Sequence, residues 1–271
     1  MTDVADASTA TQAHLDHLFG VAGKVALVTG GSRGIGQMIA TGLVKAGVKT
    51  YVSSRKADAC QAVADELTAL GGAECIAIAA DLSTEAECQR LAAAIAERED
   101  RLHILVNNAG ATWGAPFADY DEAAWDRVLD LNVKGVFQTT RHLRGLLDAA
   151  ATPGDPARVI NIGSIDGLQS PGLETFAYSA SKAAVHHLTH HLAAHLAPTI
   201  TVNAIAPGPF ESKMMAATLA AFGEQIARSA PMKRIGTPED MAGTTLFLAS
   251  RAGAYLTGVV IPVDGGITIA V

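Results

Sequence analysis

The chain is predicted to be an α/β protein: a single domain built on a doubly wound, seven-stranded parallel sheet. Short runs rich in β-branched residues recur along its 271 residues and alternate with stretches that place apolar residues at spacings of three and four. Several of the short runs are almost continuously hydrophobic, as in Val25-Ala26-Leu27-Val28 and Ile104-Leu105-Val106. Strands covered by helices on both faces need that pattern, whereas strands with one wet face alternate.

In order, the strands are expected at Lys24 to Thr29, Val48 to Ser53, Glu74 to Ala79, His103 to Asn107, Val159 to Gly163, Thr199 to Ile205 and Val259 to Val263. The helices between them are expected at Gly34 to Ala46, Ala57 to Leu70, Glu85 to Arg98, Glu122 to Ala149, Phe176 to His195 and Pro238 to Leu248, each a right-handed crossover. The Ala-, Thr-, Ser- and Asp-rich start reads as a flexible leader, residues 1–19, ahead of one packed domain over 20–271. Residues 207–238 open with Pro207-Gly208-Pro209 and hold Phe210, Met214, Met215, Leu219 and Phe222 around one short amphipathic helix. Either a substrate lid or a surface hairpin packed on the core fits this stretch, and its position after a strand end favours the lid.

Composition narrows the function. With 49% hydrophobic and 17% charged residues and 26 glycines, the chain can bury a large core and still turn tightly. A net charge of -7 opposes a nucleic-acid partner, which requires a clustered cationic face. The start lacks the basic and apolar regions of an export signal, and no apolar stretch is long enough to span a bilayer. Cys60, Cys75 and Cys88 are odd in number and lack CxxC spacing. A cytoplasmic protein with no membrane partner is the expectation.

Directly after the first strand stands Thr29-Gly30-Gly31-Ser32-Arg33-Gly34-Ile35-Gly36. Glycines there let the backbone approach a pyrophosphate at a helix N-terminus, so Gly30, Ser32, Arg33, Gly34, Ile35 and Gly36 are candidate dinucleotide ligands. A site for an unphosphorylated adenosine ribose would carry Asp or Glu at the end of the second strand; this chain has Ser53-Ser54-Arg55-Lys56. Ser54, Arg55 and Arg33 suit a 2′-phosphate, which favours NADP(H) over NAD(H) as cofactor. Asp81-Leu82 either meets the adenine or, through Asp81, caps the next helix. Asn108, Ala109 and Gly110 end the fourth strand, where small residues let a cofactor lie close.

Tyr178 and Lys182 stand four apart in a predicted helix, so both side chains leave one face. A neighbouring ammonium is expected to lower the phenol from its ordinary value near 10 towards neutrality. Ser164 follows the fifth strand at the sheet edge, and Asn132 sits within a helix where an amide has poor propensity.

With these residues in place, the chain resembles the single-domain short-chain dehydrogenase/reductase family, of Rossmann type, over roughly residues 20–271. The glycine turn, Asn-Asn-Ala-Gly, Asn, Ser, Tyr-x-x-x-Lys and Pro-Gly occur in that order. The resemblance implies that Tyr178 is the acid/base, that Lys182 also binds the nicotinamide ribose, that Ser164 orients the carbonyl and that Asn132 holds a relay water. It places Pro207 and Gly208 beside the nicotinamide and Ser212 where many relatives have a threonine contacting the carboxamide. Within the family the chain is most similar to 3-oxoacyl thioester reductases of the rhamnolipid and fatty-acid kind, judged from Pro207-Gly208-Pro209-Phe210 and the apolar Trp113, Leu168 and Met214.

The resemblance thus implies reduction of a small-molecule ketone. A sugar-acid or polyol dehydrogenase, with Gln169, Glu174 and Glu211 serving hydroxyls, and a non-catalytic NADPH-binding regulator stay open as alternatives. His187, His191 and His195 form a stripe at metal-ligand spacing, but no Cys or carboxylate partner stands nearby and no metal is expected. In the family this helix forms a subunit interface, which implies a homotetramer or homodimer.

Overall fold

The computed structural model describes residues 2–212 and 215–270; of the positions read above, Met1, Met214 and Val271 lie outside them. The strands are β1 (Val25–Thr29), β2 (Lys49–Ser54), β3 (Cys75–Ala79), β4 (Ile104–Asn107), β5 (Ala157–Ile162), β6 (Ile200–Pro207) and β7 (Val260–Val263). All pair in parallel in one sheet of order β3-β2-β1-β4-β5-β6-β7. The chain winds outward from β1 to β3, then returns to place β4 on the other side of β1. That reversal leaves a crevice outside the carboxyl ends of β1 and β4, where ligands collect in open α/β sheets.

Neighbouring residues on each strand feed two cores. Leu27, Leu105 and Val159 enter one with Leu91, Leu143 and Leu147. Val28, Val106 and Ile160 enter the other with Ile39, Leu43, Met241 and Leu248. Burial on both faces explains the unbroken apolar runs of the sequence. The covering helices are α2 (Gly34–Lys45), α3 (Ala57–Ala69), α4 (Glu85–Ala96), α5 (Glu122–Leu129), α6 (Gly135–Ala150), α7 (Phe176–Leu196) and α9 (Pro238–Ala249), while α8 (Ala216–Ser229) lies in the 207–238 segment. Among the described residues no helix is long and apolar enough to cross a membrane, and the three cysteines are buried and free.

Two expectations need correction. The stretch read as a flexible leader forms α1 (Thr2–Phe19). Ala5, Ala7, Ala10 and Ala13 carry high helix propensity, Gln12 Nε2 donates to Asp16 Oδ1 at 2.7 Å, and Gly20 closes the end by donating to the Asp16 carbonyl. The single helix expected over Glu122 to Ala149 is also interrupted, by a π-helical turn at Asp130–Lys134 between α5 and α6. Asn132 sits in that turn, and π-turns inside α-helices concentrate at functional sites.

Candidate active site

The glycine turn fits a dinucleotide. Gly30 has φ +64, and a Cβ there would lie 2.9 Å from the Ala109 backbone, so a side chain would be both strained and obstructed. A Cβ on Gly36 would overlap Asn108 Nδ2. That amide instead donates to the Thr29 and Gly30 carbonyls at 2.9 and 3.1 Å, and Thr29 Oγ1 accepts from the backbone of Asn108 and Ala109. The ends of β1 and β4 are therefore locked together beneath the crevice. α2 begins at Arg33 with no side-chain cap and no acidic residue in its first turn, leaving free N–H groups and positive potential for a pyrophosphate.

Around this cradle the remaining candidates separate. Arg33 and Arg55 are exposed, and among the described residues neither side chain has a hydrogen bond or ion pair; Ser54 stands beside Arg55 at the end of β2. Ile35 packs partly onto the core and Ser32 is half-buried. Ser212 comes within 3.1 Å of where a Gly34 Cβ would stand, so the start of the 207–238 segment rests on the glycine turn. Of the two readings for Asp81, capping fails: Asp81 Oδ1 accepts from the Ser83 backbone and hydroxyl, and Thr84 caps α4. The Leu82 side chain is buried in the core, leaving only its backbone to a ligand.

Tyr178 and Lys182 do emerge together from α7, with Lys182 Nζ 5.6 Å from the Tyr178 ring centroid. Lys182 Nζ donates to the Ile162 carbonyl at 2.7 Å, which ties it to the strand end preceding Ser164. The Ser164 hydroxyl faces the phenol and favours its ionised form, while Oγ also accepts from the Asp166 backbone at 3.1 Å. Gly110 closes over them: a Cβ there would be 3.3 Å from Asn132 Oδ1 and 3.8 Å from Lys182 Nζ.

Electrostatics contradict the expectation of an acidified phenol. Burial pushes Tyr178 up to about 12, against the opposing pull of Ser164 and with the help of the Asp166 carboxylate. Burial also pulls Lys182 down to about 8, only partly countered by Asp166. Both groups are removed from water, and desolvation penalises phenolate and ammonium alike. The phenol therefore holds its proton at neutral pH.

Asn132 is fully engaged. Its Oδ1 accepts from the Ala111 backbone at 2.8 Å, and its Nδ2 donates to the Ala111 carbonyl and to Ser181 Oγ, both at 2.9 Å. It clamps the loop after β4 to α7. Beneath it runs a second amide relay: Asn107 Nδ2 donates to Thr140 Oγ1 and Asn161 Oδ1, and Asn161 Nδ2 to Thr189 Oγ1.

Ser181, Thr189 and Asp166 were not singled out from the sequence. Only the acidic residue two places after Ser164 offered a signal. Glu174, read as a possible hydroxyl ligand, instead supports the loop, accepting at its side chain from the Phe117 backbone and at its carbonyl from that of Ala115. Trp113 and Leu168 are exposed, Trp113 under Arg127 at 5.2 Å. The stripe of His187, His191 and His195 is exposed throughout, as is His190, whereas His186, round the same helix, is buried. Among the described residues no cluster of His, Cys, Asp or Glu is arranged to hold a metal.

Residues 24–221 match the short chain dehydrogenase family. The chain belongs to that family. This short-chain dehydrogenase is 50% identical over 251 residues to the rhamnolipids biosynthesis 3-oxoacyl-[acyl-carrier-protein] reductase of Pseudomonas aeruginosa, covering 92% of this chain and 97% of the relative. It is 38% identical over 259 residues to galactitol 2-dehydrogenase of Rhizobium johnstonii, covering 92% and 97%. Among solved structures, the Pseudomonas aeruginosa RhlG/NADP active-site complex superposes with a TM-score of 0.89 at 49% identity, covering 93% of this chain and 99% of that one.

Proposed function

We propose that this short-chain dehydrogenase uses NADPH to reduce the keto group of a 3-oxoacyl thioester. One observation carries the reading: a protonated phenol and a buried ammonium stand side by side under Ser164, at the same sheet edge as a glycine cradle flanked by two unpaired arginines. Bound in that cradle, NADPH supplies the hydride. The Ser164 hydroxyl polarises the carbonyl, and Tyr178, a donor at neutral pH, gives its proton to the oxygen as charge develops there. The Lys182 ammonium favours loss of that proton and is held in place by the Ile162 carbonyl. Asn132 fixes the loop that shapes the site's wall. Arg33 and Arg55 are assigned the 2′-phosphate.

The thioester assignment is supported by the exposed Trp113, Leu168, Phe117 and Phe222 around the opening and by the similarity to 3-oxoacyl reductases. The 207–238 segment is assigned as the lid over this opening. Assembly into a homotetramer or homodimer belongs to the same proposal, with Tyr255 and Ile269 fully or largely exposed near the carboxyl terminus. NADPH consumption with acetoacetyl-CoA, galactitol-derived ketose and ethyl acetoacetate tests it. Turnover should be highest with the thioester and lost in Tyr178→Phe while NADPH still binds. Faster turnover of the ketose would overturn the substrate assignment, and an active Tyr178→Phe the mechanism.

A further inference from the structure

Tyr178, Lys182 and His186 follow one another at intervals of four along α7, the last two on its buried face. The third is unexplained by the reading above. His186 is 6% exposed, and neither ring nitrogen has a hydrogen bond of normal geometry, although an imidazole always carries one donor and one acceptor. A buried polar group left without partners in this way calls for a reason.

Its surroundings supply one. A Cβ on Gly163 would overlap the ring at Nε2, and one on Gly167 would lie 2.9 Å from Cε1. These glycines bracket Gly163-Ser164-Ile165-Asp166-Gly167, the turn that presents Ser164. The ring occupies the space their side chains would need, and a Gly167 Cβ would also meet the Lys182 backbone at 2.6 Å. The turn is thus seated directly on α7, with the imidazole as a wedge.

We propose that His186 is a positioning residue for Ser164: its ring, one turn below Lys182, supports the Gly163–Gly167 turn and holds the serine hydroxyl over Tyr178. This rests on the catalytic reading of Ser164 and Tyr178. The groups that face the ring are Lys182 and His190 on its own helix, while Asp166 stands on the turn it supports. Burial first, then the positive charge of Lys182 and that of His190, keeps the imidazole below its ordinary value, with the Gly167 backbone pulling the other way. The wedge is therefore neutral at neutral pH. Protonation would place a second cation behind Lys182, with only the Gly167 backbone to offset its burial.

The experiment compares wild type, His186→Ala, His186→Gln, Asp166→Asn and Ser164→Ala in NADPH-dependent reduction of acetoacetyl-CoA from pH 5 to 9. His186→Ala should lower kcat about ten-fold, as a small misplacement of a catalytic group does, with the KM for NADPH little changed. His186→Gln should recover part of that loss. The acid-side fall in wild-type kcat, displaced below the ordinary histidine range by burial, should persist in Asp166→Asn and vanish in His186→Gln. An unchanged acid limb in His186→Gln, or wild-type kcat in His186→Ala, overturns the proposal.

If Ser164→Ala is as fast as wild type, or wild type ignores acetoacetyl-CoA, the functional reading fails instead. Thermal melting then still decides on His186. A histidine buried neutral makes stability fall as pH drops below about 6.5, because the unfolded chain takes up the proton first. His186→Gln should lessen that fall, and an unaltered melting profile overturns the wedge.

Discussion

At the residue scale, the most informative group is Lys182, because its position costs stability. It is wholly buried and held at about 8, against an ordinary value near 10.5, which corresponds to roughly 3 kcal/mol of penalty for carrying the charge at pH 7. Below pH 8 both folded and unfolded chains hold the proton and the full penalty applies. Between about 8 and 10.5 the folded chain releases its proton while the unfolded chain keeps it, so stability rises with pH across that window. Lys182→Met removes the charge but leaves the Ile162 carbonyl without its donor, a loss of about 1–3 kcal/mol. The burial penalty wins narrowly. The variant should melt at least as high as wild type at pH 7, lose that advantage near pH 10, and be inactive; a lower melting temperature at pH 7 would show the ammonium to be stabilising.

The same value governs catalysis. Since Tyr178 keeps its proton up to about 12, a fall in kcat as pH rises through about 8 belongs to the lysine. Arg33 and Arg55 make a separate prediction. With no partner among the described residues to satisfy, their joint replacement by alanine should leave melting within about 0.5 kcal/mol of wild type, as for ordinary surface changes. It should raise the KM for NADPH by about ten-fold or more, the equivalent of at least one charge-assisted hydrogen bond, with little effect on NADH. An equal effect on both nucleotides would sink the 2′-phosphate assignment.

At the element scale, the π-turn of Asp130–Lys134 separates what periodicity can show from what it cannot. Apolar spacing locates α5 and α6 correctly because each packs one stripe onto the core. It cannot reveal the extra residue in the turn, since that is stabilised by distant partners: Ala111 after β4 and Ser181 on α7. The poor helix propensity of Asn132 was the only local trace. α1 failed for the opposite reason. Its composition reads as disorder, yet alanine propensity and one side-chain pair favour a helix even though Ala10 to Phe19 bury no stripe. Strand positions were legible because a doubly covered sheet demands unbroken apolar runs, and the glycine turn because left-handed backbone at Gly30 excludes other residues.

Asn132→Ala removes three hydrogen bonds at a buried site and leaves the Ala111 N–H and carbonyl unsatisfied. The loss should be about 2–4 kcal/mol, seen as a lower melting temperature and faster amide exchange at Ala111. Asn132→Asp should be about as damaging, because a carboxylate can accept from Ala111 but cannot donate to its carbonyl or to Ser181. If Asn132→Asp melts like wild type, the clamp is not what holds the loop.

At the scale of the whole molecule, the 207–238 segment is anchored at both ends, with α8 lightly packed between them. Phe210 is 2% exposed and packs into the core around β1 and β5. Gly236 lies flush against its ring, donating its N–H to the Pro209 carbonyl at 3.0 Å. Towards the far end Arg234 grips Asp240 through both its terminal nitrogens, and Met232 N–H reaches the Gly265 carbonyl. Between these anchors, no described residue of α8 is buried, and Phe222 is 57% exposed. A helix with so little apolar burial opens at small free-energy cost, whereas α7 is rooted in the core along its length.

Because Ser212 rests on Gly34, a dinucleotide in the cradle would meet the start of this segment and give it something to close upon. Amide exchange should therefore be fast across α8 and slow in α7 without ligand, and NADP+ with a 3-hydroxyacyl thioester should slow α8 at least ten-fold, about 1.4 kcal/mol, while α7 stays as it was. On the lid assignment proposed above, Phe222→Glu should raise KM for a ten-carbon 3-oxoacyl thioester more than for acetoacetyl-CoA. Were α8 to exchange as slowly as α7 in the free protein, the segment would be a fixed hairpin of the core, and chain-length selection would have to reside elsewhere, with Trp113 and Leu168 the first candidates.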